Sequence, residues 1–399
     1  MKQKKVQVAL LALLMVVLVL AVVFFFVLAP LLAKRLNPLH RHAPYATNAA
    51  AADLHQRLLI VDLHADALLW PRDLLQHGMP PAPAPQSGGH VDVPRLIEGN
   101  VALQAFTIVT KMPRNPQLEN NGDDTDNITP LALASRWPRK SWSSLTERAL
   151  VHAARLQDAA ARSQGRLSLI RSRAELATYL QRREREPHIT AGFLGVEGAH
   201  ALDGNLANID RLYEAGVRMM APTHFFDNDM AGSLHGQSKA GLSEKGREMI
   251  RRMEAKHMLL DLAHASPRTV SDALAIARRP VLVSHTGVKG TCNNARNLSD
   301  EQLRAVASNG GVVGIGFWQT AVCGTDAAAV ARAIIYTARL IGAQHVALGS
   351  DFDGAVAMPF DAAGLVLITQ ALQQQGMSEA EIRWVMGGSA LRLLQENLP

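Results

Sequence analysis

Cysteine is scarce in this chain. Among 399 residues only Cys292 and Cys323 occur, too few for a disulfide scaffold or a cysteine-based zinc module. Any bound metal must therefore take histidine and carboxylate ligands, and 15 histidines are present to supply them. Charged residues make up 19% of the chain and aromatic residues 5%, yet 48% is hydrophobic, which excludes disordered and collagen-like classes. A strong charge imbalance is also missing. The formal net charge of +6 comes from 41 basic against 35 acidic residues. The basic residues form no cluster beyond short runs such as Arg182, Arg183 and Arg185, which argues against nucleic acid as a partner. There is no internal repeat with a period of about 20 to 50 residues, so solenoids and propellers are set aside.

One segment lacks charge altogether. Val8 to Ala33 would span about 39 Å as a helix at ~1.5 Å per residue, more than the roughly 30 Å hydrocarbon core of a bilayer. A cleaved signal peptide is the competing reading. Its apolar core would be unusually long, and Leu31-Leu32-Ala33 lacks the small residue wanted before a cleavage site. The expected organisation is a basic flank (1–7), a transmembrane anchor (8–33), a polar linker (34–52) and one catalytic domain (53–399). Lys2, Lys4 and Lys5 on one side balance Lys34, Arg35 and Arg41 on the other, so the charge rule does not orient the anchor. Two further stretches, Pro71 to His90 and Lys111 to Ser144, read as surface loops.

Eight short apolar runs follow in the soluble part: Leu58 to Asp62, Ala102 to Val109, Ile189 to Val196, Val217 to Pro222, Met258 to Leu262, Val281 to Ser284, Val312 to Phe317 and Val346 to Gly349. Helix-like periodic stretches separate many of them, among them Leu145 to Ala161, Glu244 to Ala255 and Ala327 to Leu340, and Ser299-Asp300 offers capping chemistry at the start of another. This alternation predicts an α/β fold, a (β/α)8 barrel of the TIM type, with chemistry at the carboxyl ends of the strands.

Candidate ligands do cluster at those ends. His64 and Asp66 sit two apart on the first run, so both can face the barrel mouth. Glu197, His224, His264, His285 and Asp351 end five others. Hard oxygen and imidazole donors suit zinc, and a carboxylate carried directly on an apolar strand is costly without a cation or hydrogen bonds. His200 is expected to support the site from behind. His55, His77, His90, His152, His188, His235, His257 and His345 lie in loops or polar flanks and are expected to be solvated.

Asp62-Leu63-His64-Ala65-Asp66, Gly195 to His200, Gly216-Val217-Arg218 through Thr223-His224, Asp261 to Ser266, Ser284-His285, Arg296-Asn297 and Gly349 to Gly354 together resemble the membrane dipeptidase (renal dipeptidase) family of zinc peptidases. The pieces keep the family's order and run from about Leu58 to Phe360. The resemblance implies two Zn2+ per chain on a (β/α)8 barrel. His64 and Asp66 would bind one ion, His264 and His285 the other, and Glu197 would bridge both. His224, Arg296 and Asn297 would bind substrate, and Asp351 would serve as acid/base. The implied activity is hydrolysis of dipeptides by a metal-bound hydroxide. The implied partners are a dipeptide and, through the anchor, the lipid bilayer, with a homodimer allowed. The catalytic domain would be periplasmic or extracellular, where Cys292 and Cys323 are either bridged or two buried thiols.

This chain departs from the family pattern at Ala65, at Leu68-Leu69 and at Thr286 to Gly290, and Lys111 to Ser144 is longer than the family core requires. Three alternatives follow. A barrel hydrolase of cyclic amides, nucleobases or phosphoesters would usually carry His-X-His on its first strand, and this chain has His-X-Asp. A different amide, such as a lactam or an N-acyl amino acid, is compatible with the altered loops. A catalytically dead, membrane-tethered binding protein would not need the full ligand set.

Overall fold

The computed structural model describes residues 2–77 and 88–399, so half of the Pro71 to His90 stretch expected as a surface loop, residues 78–87, lies outside the described residues. Among the described residues nine strands form: β1 (Ile60–Ala65), β2 (Val101–Ile108), β3 (Leu167–Leu169), β4 (Thr190–Val196), β5 (Val217–Met220), β6 (Leu259–Leu260), β7 (Leu282–Thr286), β8 (Val312–Ile315) and β9 (Val346–Leu348). All pairings between them are parallel. Eight of them run β1-β2-β4-β5-β6-β7-β8-β9, and Asp62 of β1 pairs with Leu348 of β9. The remaining junction, β6 to β7, is joined by the Asp261–Leu282 bridge and by the Leu262 N–H donating to the Leu282 carbonyl at 2.8 Å. The ring is thus closed as a (β/α)8 barrel. β3 was not expected. It pairs with the first half of β4, outside the ring, because β5 pairs only with the second half.

Near-continuous apolar strands are what a parallel sheet buried on both faces requires. Val61, Leu63, Leu103, Ala105, Phe193, Met219 and Leu259 pack inside with Leu391, Leu393 and Leu394 of the terminal helix Ser389–Asn397. The amino-terminal end of the barrel is therefore plugged by side chains, and the opposite end is free to carry a site. The helix Asp300–Ser308 starts in a full capping box, with Ser299 and Gln302 exchanging hydrogen bonds.

Lys111 to Ser144 is not structureless. It contains a helix, Ile128–Ala134, and a tight turn, Arg139–Trp142. The organiser is Arg148, buried on the helix Leu145–Arg162. Its guanidinium donates to the Thr110 and Ser141 carbonyls at 2.7 and 2.8 Å, to Asp126 at 2.6 Å and to the Thr129 hydroxyl at 2.6 Å. Local periodicity carries no trace of one cation holding distant carbonyls.

The amino-terminal helical stretch runs from Gln3 to Leu36 and is long and apolar enough to cross a membrane. Its last turns do not stand free. Ala29 and Ala33 are buried against Trp70, Ile128 and Leu131. The linker is also held. His40 and Arg41 donate backbone hydrogen bonds to Met358 and Pro359, and the Tyr45 hydroxyl reaches Asp361 at 3.0 Å. These contacts fasten the end of the amino-terminal helix and the linker to the loop that follows β9.

Replacing Arg148 with methionine leaves the Asp126 carboxylate and several carbonyls without their donor. A loss on the order of 3 to 5 kcal/mol is expected for such a broken buried charge network, readable as a lower urea midpoint. An unchanged midpoint would show that the segment is held by other contacts.

Candidate active site

The strand ends meet at one point. Glu197 leaves β4 at Gly198, whose φ of 97° and missing Cβ let the chain turn beside the His200 and His224 side chains. Around the Glu197 carboxylate stand four imidazoles. To Oε1 the distances are 3.0 Å from His264 Nε2, 3.4 Å from His285 Nε2 and 3.5 Å from His64 Nε2. His224 Nε2 lies 3.3 Å from Oε2. His64 Nε2 is also 3.6 Å from Asp66 and 3.9 Å from Asp351. Two of these residues, His264 (φ 60°) and Asp351 (φ 65°), are non-glycine residues in the left-handed region, a conformation that costs on the order of 1 to 3 kcal/mol and is retained where surrounding structure enforces it.

These groups fit a cation. Three overlapping sets, His64–His285–Asp351, Glu197–His224–His264 and His64–Asp66–Glu197, each bring their ligand atoms within 4.8 Å of one another. Burial holds His224, His264 and His285 well below the usual imidazole range, so each is neutral and offers a lone pair. His264 Nε2 and His285 Nε2 are 2.8 Å apart, as two lone pairs converging on shared ions would be. His64 behaves differently. Burial opposes its protonation, but Glu197, Asp66 and Asp351 together push it up to about 10. Burial likewise drives Glu197 upward. The cluster draws protons because it holds acidic groups that only positive charge can stabilise.

Hydrogen bonds behind the imidazoles set their tautomers. His235 Nδ1 lies 2.6 Å from the Leu118 carbonyl, which can only accept, so this nitrogen carries the proton. Its Nε2 then accepts from His264 Nδ1 at 2.9 Å, leaving His264 Nε2 as the lone pair facing Glu197. Ser284 Oγ stands 3.1 Å from His64 Nδ1 and 3.0 Å from His285 Nδ1. It can accept from both, freeing both Nε2 atoms for metal. The Thr107 hydroxyl donates to Asp66 at 2.6 Å. His235 was expected to be a solvated histidine and is buried at the site; nothing in its neighbouring residues marks it as a partner of His264. His55, His90 and His152 are buried as well. His55 holds Thr369 and the Gly99 carbonyl, and His90 accepts from the Asp353 N–H. His200 is buried against Phe226 and makes no hydrogen bond to Glu197 among the described residues.

Arg296 is buried at the cavity wall. It donates to the His285 carbonyl at 2.9 Å and lies over the Trp318 ring at 5.3 Å. Burial lowers it to about 10, still a cation at neutral pH. Among the described residues no carboxylate lies within 4.0 Å of it, and a buried, unpaired guanidinium is a site for an anion. Asn297 does not reach the cavity. Its amide donates to the Cys292 and Ala321 carbonyls at 2.6 and 3.0 Å, bracing the loop that carries Arg296. The disulfide Cys292–Cys323 joins the same two loops. Burial pushes Asp351 up to about 7; it lines the cavity together with Glu197, His224 and Arg296.

Residues 48–398 match the model of the membrane dipeptidase family (peptidase family M19). The chain is 35% identical over 216 residues to an uncharacterized dipeptidase of Schizosaccharomyces pombe, covering 50% of this chain and 51% of that protein, so the match spans about half that relative's length. It is 28% identical over 356 residues to the dipeptidase aclJ of Aspergillus oryzae, covering 85% of this chain and 78% of that one. In structure it resembles a metallopeptidase from Rhodobacter sphaeroides, solved with a phosphinate mimic of L-Ala-D-Ala. The TM-score is 0.70 at 22% identity, covering 86% of this chain and 99% of that one. A probable dipeptidase, PvdM, from Pseudomonas aeruginosa gives a TM-score of 0.69 at 18% identity, over 87% of this chain and 98% of that one.

If His235 fixes the His264 tautomer, His235→Phe should weaken metal affinity on the order of 10 to 100-fold, the usual effect of losing a partner behind a metal ligand. A competition titration with a zinc chelator would measure it. Wild-type affinity in a well-folded variant would remove His235 from the site.

Proposed function

We propose that this chain, which belongs to the membrane dipeptidase family, hydrolyses the peptide bond of dipeptides at a binuclear zinc site held at the membrane by its amino-terminal helix. The observation that supports this most is a single carboxylate, Glu197, in reach of four imidazoles, with an unpaired buried Arg296 on the wall of the same cavity. His64 and Asp66 would hold one ion, His264 and His285 the other, and Glu197, with two oxygens, would bridge them. When bound, the ions supply a water nucleophile active at neutral pH and polarise the scissile carbonyl.

The chain's own residues do the rest. Arg296 takes the free carboxylate of the substrate in its planar fork, which restricts substrates to those ending one residue after the scissile bond. His224, neutral and on the cavity wall, donates a hydrogen bond to the carbonyl oxygen where negative charge develops. Asp351 takes a proton from the attacking water and passes it to the departing nitrogen. Burial raises its pKa into the range suited to this exchange, and the positive charge of bound ions pulls it back toward the carboxylate. Ser284 and His235 keep the imidazole lone pairs aimed. The disulfide favours an oxidising compartment, periplasmic or extracellular, for the catalytic domain.

Arg296 and Asp351 should fail in different ways. Arg296→Met should penalise dipeptides with a free carboxylate by about 2 to 5 kcal/mol in kcat/KM and leave an already poor amidated analogue nearly unchanged. Asp351→Asn should keep both metals and substrate affinity but lose on the order of 100 to 10,000-fold in kcat. Steady-state kinetics beside a melting curve would separate these effects, and an active, normally stable Asp351→Asn variant would rule out the proton-transfer role.

A further inference from the structure

The cavity over the imidazole cluster has a volume of about 710 Å3, well beyond what two alanine residues fill. Its two sides differ in chemistry. On one stand Arg296 and Trp318; the other is apolar and is not built by the barrel alone. Leu28, Leu32 and Leu36 of the amino-terminal helical stretch, one stripe at four-residue spacing, line it together with Val109, Ile128 and Leu131. The two sides face each other across the ring. Arg296 follows β7, the sixth strand of the closed order counted from β1, and Val109 follows β2, the second. In an eight-stranded ring these positions are diametrically opposed.

The anchor can reach this place without shortening its span. Val8 to Val27 alone rises about 30 Å as a helix, enough for the hydrocarbon core, so Leu28 to Leu36 lie at the membrane surface. Ala29 and Ala33, small and buried, let the helix come close to Ile128 and Leu131. Asn37 pins its end, donating to the Ala33 carbonyl at 2.8 Å and accepting from the Ala355 N–H at 3.0 Å, four residues beyond Asp351.

We infer that the last turns of the membrane anchor are a wall of the substrate site. The substrate is then an amino acid with a free carboxylate, amide-linked to a bulky apolar acyl or aminoacyl group. This rests on the dipeptidase reading above. With the carboxylate on Arg296 and the scissile amide over Glu197, an apolar acyl group is best matched by the wall across the ring, at Leu28 and Leu32, and a longer tail continues along the stripe toward the bilayer. A dipeptide with a large aliphatic first residue and an N-acyl amino acid share this chemistry.

The test uses the full-length zinc enzyme in nanodiscs with substrates sharing one carboxyl-terminal residue and carrying glycyl, leucyl or N-octanoyl on the other side. The kcat/KM should rise by about tenfold or more from glycyl to the preferred apolar member, the usual worth of added methylenes in an apolar pocket; the leucyl and octanoyl arms tell the two sources apart. Leu32→Ser should reduce that selectivity ratio by a similar factor. A wild type that cleaves all three equally overturns the inference and leaves the dipeptidase reading standing. A wild type that cleaves none, yet binds an octyl phosphinate mimic at least tenfold more tightly than the methyl one by calorimetry, keeps the wall and overturns the dipeptidase reading. Equal binding of the two mimics, or a Leu32→Ser variant of unchanged melting temperature and unchanged ratio, also overturns the inference.

Discussion

Everything at the carboxyl end of this barrel depends on one electrostatic constraint: Glu197, Asp66 and Asp351 are brought together in a buried mouth where their negative charge needs a positive counterpart. Within the chain, His64 answers it by taking a proton, while the other imidazoles stay neutral because burial and the Arg296 charge oppose their protonation. A pair of divalent ions would answer it better, since His64, His264 and His285 would then each contribute a lone pair and none of the three would need a proton. The strained backbone at His264 and Asp351, the paired acceptance by Ser284 and the His235–Leu118 bond all act to hold these side chains where they converge.

The fold serves this constraint by dividing labour between its two ends. One end is plugged by the terminal helix and packed with leucine, phenylalanine and methionine, so the strands are rigid where they emerge. The other end carries loops tied by devices that act at a distance: Arg148 under the segment after β2, Asn297 and the disulfide between the loops after β7 and β8, and the linker against the loop after β9. Rigid strands place the imidazole and carboxylate groups, and braced loops shape what surrounds them.

What was legible in the sequence follows from this division. The ring strands announced themselves as short apolar runs, because parallel strands buried on both faces must be apolar throughout. The residues that gather around Glu197 were visible as polar residues abruptly ending those runs. Elements held by long-range contacts were not visible. β3 is short and half-buried, and only its pairing with β4 makes it a strand. The helix Ile128–Ala134 depends on a guanidinium that arrives from a later helix. His235 reads as a polar loop residue until the fold sets it 2.9 Å from His264. Asn297, beside Arg296 in the chain, points its amide at the backbone because the loop needs those donors more than the cavity does. Docking of the amino-terminal helix on the barrel mouth leaves no periodic signal, since its run is apolar on every side.

The central claim is that Glu197 is shared by two metal ions. Elemental analysis of the purified, zinc-loaded protein, with stepwise zinc titration followed by calorimetry, tests it most directly on the wild type and on Glu197→Gln. The account predicts two zinc ions per chain in the wild type, and weakened binding of both in the variant because the bridging charge is gone. One tightly held ion in the wild type, or a variant that loses a single ion and keeps the other at full affinity, would contradict it.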